Sequence, residues 1–453
     1  MNFNSGGVNP ANNNNRRYGF TARAVQHLPC ATIQIEQQRE DTTNEAKEDD
    51  MAMKLTREHL LIDLYAAWHM ARRHKVTKHY VRVFDRHSDR NIEAICDALF
   101  NRDYHPEPSS CFIVDRPKKR EVFAAQFADR VVHHYYYNQT HRIFERTFIE
   151  DSYSCIQGRG THYGIDRLKH HIIQESDNYR KKCWVLSLDI RGYFMHIDRK
   201  ILLDIAVNTL QKMASHKIDS ISRQTWSDVA DIDFLCWLTE QIVTIDPKSS
   251  CKIVGNLEEW KGLDYNKSLF HTPEGCGLPI GNLTSQLLSN VYLNEFDQFC
   301  KRELKCKHYG RYVDDAYIVS CEKEWLLSLI EQIDQFLKDR LHLEIHRGKS
   351  HLHEVHHGIE FLGGYILPGR TYMSHAAVRR LRYNVDNLKG NGPAKLYRSI
   401  NSMLGVMSHF DNHRLCREIF CVEQFLRHGH FSGNATPRSL SPLERTIGFW
   451  TQA

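Results

Sequence analysis

The sequence predicts an α+β fold on three observations. Helical periodicity opens at Leu55 and returns at several points along the chain; an apolar run, CWVLSLDI, ends on an aspartate; and two short strands, KHYGRY and AYIVSC, flank an acidic turn. At 453 residues the chain exceeds the size at which one hydrophobic core keeps growing, so subdomains around a cleft are expected.

Residues 1–50 pass from an Asn-rich stretch to an acidic one, with too few periodic apolar positions to build a core, and read as a disordered leader. Leu60, Leu61, Leu64 and Trp68 then share a helical face, and a second amphipathic run, Ile92 to Phe100, is broken by Pro106 and Pro108. Residues 111–125 read as extended chain with a basic cluster, and Phe127 to Phe148 as a long helix. After the strand Cys183 to Ile190, helices fill much of 200–245 and a polar loop runs to about 274. A helix from Thr284 to Cys300 gathers Leu288, Val291, Tyr292, Glu295 and Phe299. The two strands around the acidic turn, a helix from Trp325 to Leu337 and further strands through Leu367 follow. Helices dominate Ala376 to Arg427, a basic block.

Lys and Arg number 60 against 55 acids, a net +5 that permits a polyanionic partner without requiring one. Thirteen cysteines without a C-x-x-C pair read as free thiols of a reducing compartment. No apolar stretch reaches the length of a membrane span and the N-terminus lacks a signal-peptide core, so a soluble, cytoplasmic protein is expected.

Phosphodiester synthesis needs an ionised hydroxyl and a neutralised phosphorus centre, and two divalent cations held by hard oxygen ligands supply both. Asp189 at a strand end, beside Asp314 and Asp315 on a hairpin tip, has the donor type for that task. Alone, a strand-end Asp is more often a cap or turn residue, and an Asp pair between strands is as often a plain turn. Together LDIRGYF, GLPIGNLTSQ and YVDD resemble, in order and spacing, motifs A, B and C of reverse transcriptases. The resemblance covers most of residues 55–430. In form it is closest to the reverse transcriptases of diversity-generating retroelements, which copy a template RNA with errors at adenines.

The resemblance implies a right-hand polymerase: fingers over 51–185, a palm with an antiparallel sheet packed by helices over 186–371, a helical thumb over 372–435 and a tail over 436–453. It implies that Asp189, Asp314 and Asp315, with the backbone carbonyl of Ile190, hold two Mg²⁺ ions, for which Mn²⁺ can substitute. Phe194 falls where these enzymes keep a ring against the sugar C2′ that collides with a ribonucleotide hydroxyl. The cluster Arg116, Lys118, Lys119, Arg120 resembles the fingers strand that clamps the triphosphate; its spacing to Asp129 and Arg130 singles out Lys118 and Arg120. Before the motif B helix most relatives read Q-G then S-P, whereas this chain has Ile280-Gly281 then Ser285-Gln286. In diversity-generating enzymes such a change accompanies adenine-specific infidelity, and Gly281 is expected to let the backbone approach the nucleotide. Lys349 falls where motif D places a general acid for the leaving pyrophosphate. Phe361, Leu362, Gly363 and Gly364 resemble the primer grip, motif E.

Two other patterns carry less. His353, Glu354 and His357 spell H-E-x-x-H, but the glycines around them point to strands and turns rather than the one helix face zinc requires. Gly158, Gly160 and Gly164 are spaced one residue too long for a dinucleotide fingerprint, and GRGTHYG reads as the template-side fingers loop of the family. GGVNPANNNNRRYGFTARAVQ resembles the end of the variable lectin-like or fimbrial-like target proteins of diversity-generating retroelements, which implies that residues 1 to about 30 are translated template sequence and that the working enzyme begins nearer Met51 or Met53. Expected partners are template RNA, the cDNA primer strand, dNTPs and a small basic accessory variability determinant protein, without a membrane, in a bacterial, phage or prophage setting. The rival readings are a group II intron or retron enzyme and a catalytically silent RNA-binding defence protein.

Overall fold

The computed structural model describes residues 54–115, 118–249, 251–387, 393–412, 414–415 and 418. The leader, Arg116, the tail and much of the expected thumb lie outside the described residues. In chain order the elements are α1 (Arg57–Arg72), α2 (His79–Asp85), α3 (Ser88–Phe100), β1 (Ser110–Val114), β2 (Arg120–Ala124), α4 (Phe127–Glu145), α5 (Thr161–Glu175), β3 (Trp184–Asp189), α6 (Tyr193–His196), α7 (Arg199–Ala214), α8 (Ile232–Thr244), β4 (Lys252–Ile253), α9 (Leu283–Gln298), β5 (His308–Tyr312), β6 (Asp315–Ser320), α10 (Lys323–Leu341), β7 (His351–Glu354), β8 (Ile359–Phe361), β9 (Gly364–Leu367), β10 (Arg370–Met373), α11 (His375–Asp386) and α12 (Pro393–Met407). This is an α+β fold, as the periodicity predicts.

The contact pattern divides the chain into two units: Met1–Gly160, Leu188–Ala316 and Ser328–Ser350 form the first, and Thr161–Ser187, Tyr317–Leu327 and His351–Ala453 the second. These units cut across the segment boundaries expected for fingers, palm and thumb. In the first unit α4 is the central helix. It buries Phe127, Val131, Val132, Tyr135, Tyr136, Ile143 and Phe144, and packs on α1 and α9. The side chain of Thr56 caps α1 by accepting the amide of His59, and Leu60, Leu64 and Trp68 form its buried face, with Leu61 only half-buried. Strands β2, β1 and β4 make a sheet in that order, β1 antiparallel to β2 and parallel to β4.

The first unit also holds β5 and the carboxylate ends of β6 and β3, side by side in that order. Every residue of β5 is buried, which its mixed sequence HYGRY does not announce. In the second unit β3 pairs antiparallel with β7, from Trp184 opposite Glu354 to Ser187 opposite His351. Strands β8, β9 and β10 form an antiparallel meander there.

Three segments differ from expectation. Residues 161–164 of GRGTHYG form the first turn of α5, whose apolar face carries Ile165, Leu168 and Ile172, so that half of the segment is helix rather than loop. Helix α4 ends at Glu145, three residues early, where the Thr147 hydroxyl turns back onto the carbonyl of Phe144. The polar loop contains β4 and three short 3₁₀ turns and is tied through β4 to the sheet of β1 and β2. His353 and Glu354 lie on β7 and His357 in the 3₁₀ turn after it, so the H-E-x-x-H residues are not on one helix.

Candidate active site

Asp189 closes β3, and its surroundings are built by the loop that follows α10. The amide of His346 donates to the Asp189 carbonyl at 2.7 Å and that of Arg191 to the Glu344 carbonyl at 2.9 Å, flanking an antiparallel bridge between Ile190 and Ile345. Those bonds belong to Ile190's neighbours, so the bridge does not use its own carbonyl. The loop is anchored in turn: Arg347 binds Glu331 and Asp334, and Asp334 accepts the amide of Ile345. Its last turn carries Lys349, whose Nζ stands 3.3 and 3.4 Å from the two carboxylate oxygens of Asp189.

Asp314 and Asp315 leave the β5–β6 hairpin at the same place. Partial desolvation, then Asp189, raises the Asp314 carboxyl above its ordinary range, with Arg120 and Lys349 opposing. Asp315 keeps an accessible face yet is set among protein atoms, and this desolvation, then Asp314 and Asp189, raises it too, against Lys118 and Lys349. The three carboxylates are thus near enough to repel one another, and Lys118, Arg120 and Lys349 are near enough to offset part of that repulsion. The structure brings together Asp189, Asp314, Asp315, Lys118, Arg120 and Lys349, which lie far apart in sequence. Lys119, from the same basic run, is occupied elsewhere and donates to the carbonyls of Glu259 and Lys261.

The donor chemistry suits divalent cations: three hard carboxylates are held close at an electrostatic cost that a cation relieves. Among the described residues, no three or more His, Cys, Asp or Glu side chains are already gathered around a common ion position. Asp189 is turned onto the Lys349 ammonium instead.

The motif A and motif B segments share an apolar cluster. Phe194 and Ile280 both pack against a cluster of Cys111, Phe123, Met195 and Leu269. Phe194 sits in the one-turn helix α6, where its carbonyl accepts the amide of Leu278 at 2.8 Å and joins the motif A and motif B segments. Gly281 has φ +124, and a Cβ there would meet Val122 Cγ1 at 2.9 Å. One close approach that requires glycine at this position is therefore to β2.

Sequence reasoning missed Glu121. Its carboxylate is 1% exposed and accepts Trp260 Nε1 at 2.7 Å, Ser268 Oγ at 3.0 Å and the Leu269 amide at 2.7 Å, clamping the 251–271 segment beside Arg120. An acid in an apolar strand, EVFAA, was the available signal. A second missed feature is a cavity of about 120 Å³ behind the Gly281 turn, lined among others by Arg73, Lys75, Arg130, His134 and Asn282.

The expected primer grip lies in the second unit, on a hairpin whose turn residues Leu362 and Gly363 have φ of +50 and +85, a two-residue turn of the kind that matches strand twist. Phe361 is buried against Tyr317, ring centroids 5.1 Å apart, and Gly364 is buried under Ile165 and Phe410. Only Leu362 and Gly363 stand at the tip.

Among the described residues all ten cysteines are free thiols, and no helix is long and apolar enough to cross a membrane. Residues 116–366 match the family described as reverse transcriptase (RNA-dependent DNA polymerase). The chain is 23% identical over 314 residues to Protein YkfC of Escherichia coli (strain K12), covering 62% of this chain and 72% of that one. Among solved structures it is similar to telomerase from Candida albicans in complex with a telomeric RNA fragment, at 11% identity and a TM-score of 0.42, covering 76% of this chain and 58% of that one. It is also similar to apo telomerase from Candida tropicalis, at 10% identity and a TM-score of 0.46, covering 77% and 63%. The family match spans more than half of the sequence and takes in each of the three aspartates, both basic residues beside them and the loop of Lys349: this chain belongs to the reverse transcriptases, the RNA-dependent DNA polymerases.

Proposed function

We propose that this chain copies an RNA template into DNA with Asp189, Asp314 and Asp315 as its catalytic carboxylates. The observation that carries this reading is the convergence of those three acids, from β3 and the β5–β6 turn, among Lys118, Arg120 and Lys349. Two Mg²⁺ ions held by the three carboxylates and the Ile190 carbonyl would lower the pKa of the primer hydroxyl and neutralise the phosphoryl charge. Lys118 and Arg120 hold the triphosphate, Phe194 excludes the 2′-hydroxyl, and Lys349 gives its proton to the departing pyrophosphate, for which its place beside Asp189 suits it. Leu362 and Gly363 support the primer strand. Arg73, Lys75 and Arg130 supply positive charge for the template backbone.

The finer reading is error-prone copying at template adenines for a diversity-generating retroelement, in the cytoplasm and with a small basic accessory protein. Its support is Ile280: an apolar residue takes the place of the polar one usual before the motif B helix, and it packs on the same apolar cluster as Phe194. The test is primer extension on a defined RNA in Mg²⁺. Asp314→Asn should remove DNA synthesis while the circular dichroism spectrum and the melting temperature stay near wild type; sustained synthesis by this variant rejects the site.

A further inference from the structure

We propose that Arg311, paired with Asp297, is a positioning residue that fixes the peptide between Val313 and Asp314, and through it the direction in which the two hairpin carboxylates leave β5. The proposal rests on the reading of Asp314 and Asp315 as the catalytic pair.

Arg311 and Asp297 are both fully buried in the first unit. The guanidinium meets the carboxylate with two parallel bonds, Nε to Oδ1 at 2.7 Å and Nη2 to Oδ2 at 2.6 Å, and Tyr309 adds its hydroxyl to Oδ1 at 2.6 Å. The remaining nitrogen, Nη1, donates to the Val313 carbonyl at 2.9 Å and lies 3.3 Å from Asn290 Oδ1. The other side of the same residue is held by the same network: the Val313 amide donates to Ser154 Oγ at 3.3 Å, and Ser154 Oγ donates to Asn290 Oδ1 at 2.9 Å. Asn290 returns a bond from Nδ2 to the Ser154 carbonyl at 2.8 Å.

Val313 needs that hold. Its φ is +57, a region in which a β-branched residue is an outlier and persists only where its surroundings over-determine it. A buried ion pair is a weak way to gain stability, because apolar residues of similar volume commonly do as well or better. They cannot, however, give the Val313 carbonyl a donor. Arginine suits the position because its rigid planar fork serves Asp297 and the turn together, whereas a lysine ammonium cannot make the same bidentate contact.

The experiment compares wild type, the double variant Arg311→Met/Asp297→Leu, and Arg311→Lys, with Asp314→Asn in parallel. Each is assayed by melting temperature and by steady-state extension of a DNA primer on a defined RNA template. The double variant removes both buried charges and is expected to melt near wild type with KM for dNTP nearly unchanged. Its kcat should fall on the order of 100-fold, the size of effect that misplacing a reacting group produces. Arg311→Lys keeps a positive charge beside Asp297, loses the fork, and should show the same split between kcat and KM; it decides the matter if the double variant does not fold. Wild-type kcat in a folded variant of either kind overturns the positioning role. If Asp314→Asn itself keeps full activity, the catalytic reading beneath the proposal fails; if only the Arg311 variants do, that reading stands and the positioning role alone is lost.

Discussion

The carbonyl of Ile280 accepts the backbone amide of Phe123 at 3.1 Å, fastening the loop before α9 to strand β2. The bond also sets the Ile280 side chain into the apolar cluster that receives Phe194. The residue expected to choose the sugar and the residue expected to govern fidelity are therefore parts of one wall.

Phe194→Val should admit ribonucleotides. The smaller side chain removes the ring that a 2′-hydroxyl would strike, while Phe123, Met195 and Leu269 keep the rest of the cluster filled. The expected outcome is a rise of at least about tenfold in kcat/KM for rNTP relative to dNTP, roughly 1.4 kcal/mol of lost discrimination. An unchanged ratio would make Phe194 an ordinary packing residue.

Ile280→Gln should lower misincorporation opposite template adenine more than opposite other bases, as read by sequencing cDNA copied from a defined RNA with and without the proposed accessory protein. The amide enters apolar surroundings, so about 1–3 kcal/mol of stability should be lost unless it finds a partner. An error spectrum that does not move while synthesis continues would place the cause of infidelity elsewhere.

Lys349→Met keeps the length of the side chain and removes both its charge and its proton. If Lys349 protonates pyrophosphate, single-turnover incorporation should slow by about 10²-fold, within the usual range for a positioned general acid. Lys349→Arg, which keeps the charge toward Asp189 but gives up its proton far less readily, should remain slow. A fast Arg variant would show that the contact with Asp189 acts through charge alone.

His133 and His134 should subtract stability in mild acid, while the carboxyls of Asp129, Glu145 and Asp315, raised chiefly by desolvation, act the other way over the same range. Burial, with Arg130 adding to it, lowers His133 to about 4; burial, with Lys75 next, lowers His134 to about 3. Both imidazoles stay neutral in the folded protein at pH values where the unfolded chain, near 6.5, already binds protons. The histidines' share of stability is thus intact above about 6.5 and drains as pH falls toward 4, at up to about 1.4 kcal/mol per pH unit for each. In denaturant titrations between pH 7 and 5, His134→Gln should lose less stability on acidification than wild type does; an identical pH dependence in that variant would reject this source.

The strand-end and hairpin-tip aspartates, the basic run that enters β2 and the helix α9 were legible in the sequence because each is a short local pattern. Lys349 was legible by position, although its approach to Asp189 depends on a loop anchored by Arg347 and Asp334. Helix α5 was obscured by glycines at its start, although Ile165, Leu168 and Ile172 already carried helical spacing. The packing of Gly281 on β2 was not legible, because which neighbour a missing Cβ accommodates depends on a strand more than a hundred residues away in the chain. Arg311 looked like an ordinary charge in a short strand, and nothing local says that Asp297 waits for it a helix end away.

The Glu121 clamp also bears on how the protein assembles as it is made. Its bond to the Leu269 amide joins residues 148 positions apart, so an emerging chain carries this acid through the synthesis of α4, α5, α6, α7 and α8 before its partners exist. Closing so long a loop is slow relative to forming local helices. The β1–β2 hairpin, with Arg120 beside Glu121, should therefore be among the last parts of the first unit to become rigid. A nascent chain stopped before Trp260 would have its three aspartates still to be made or still unsupported, and would present the basic strand as loose, proteolysable chain.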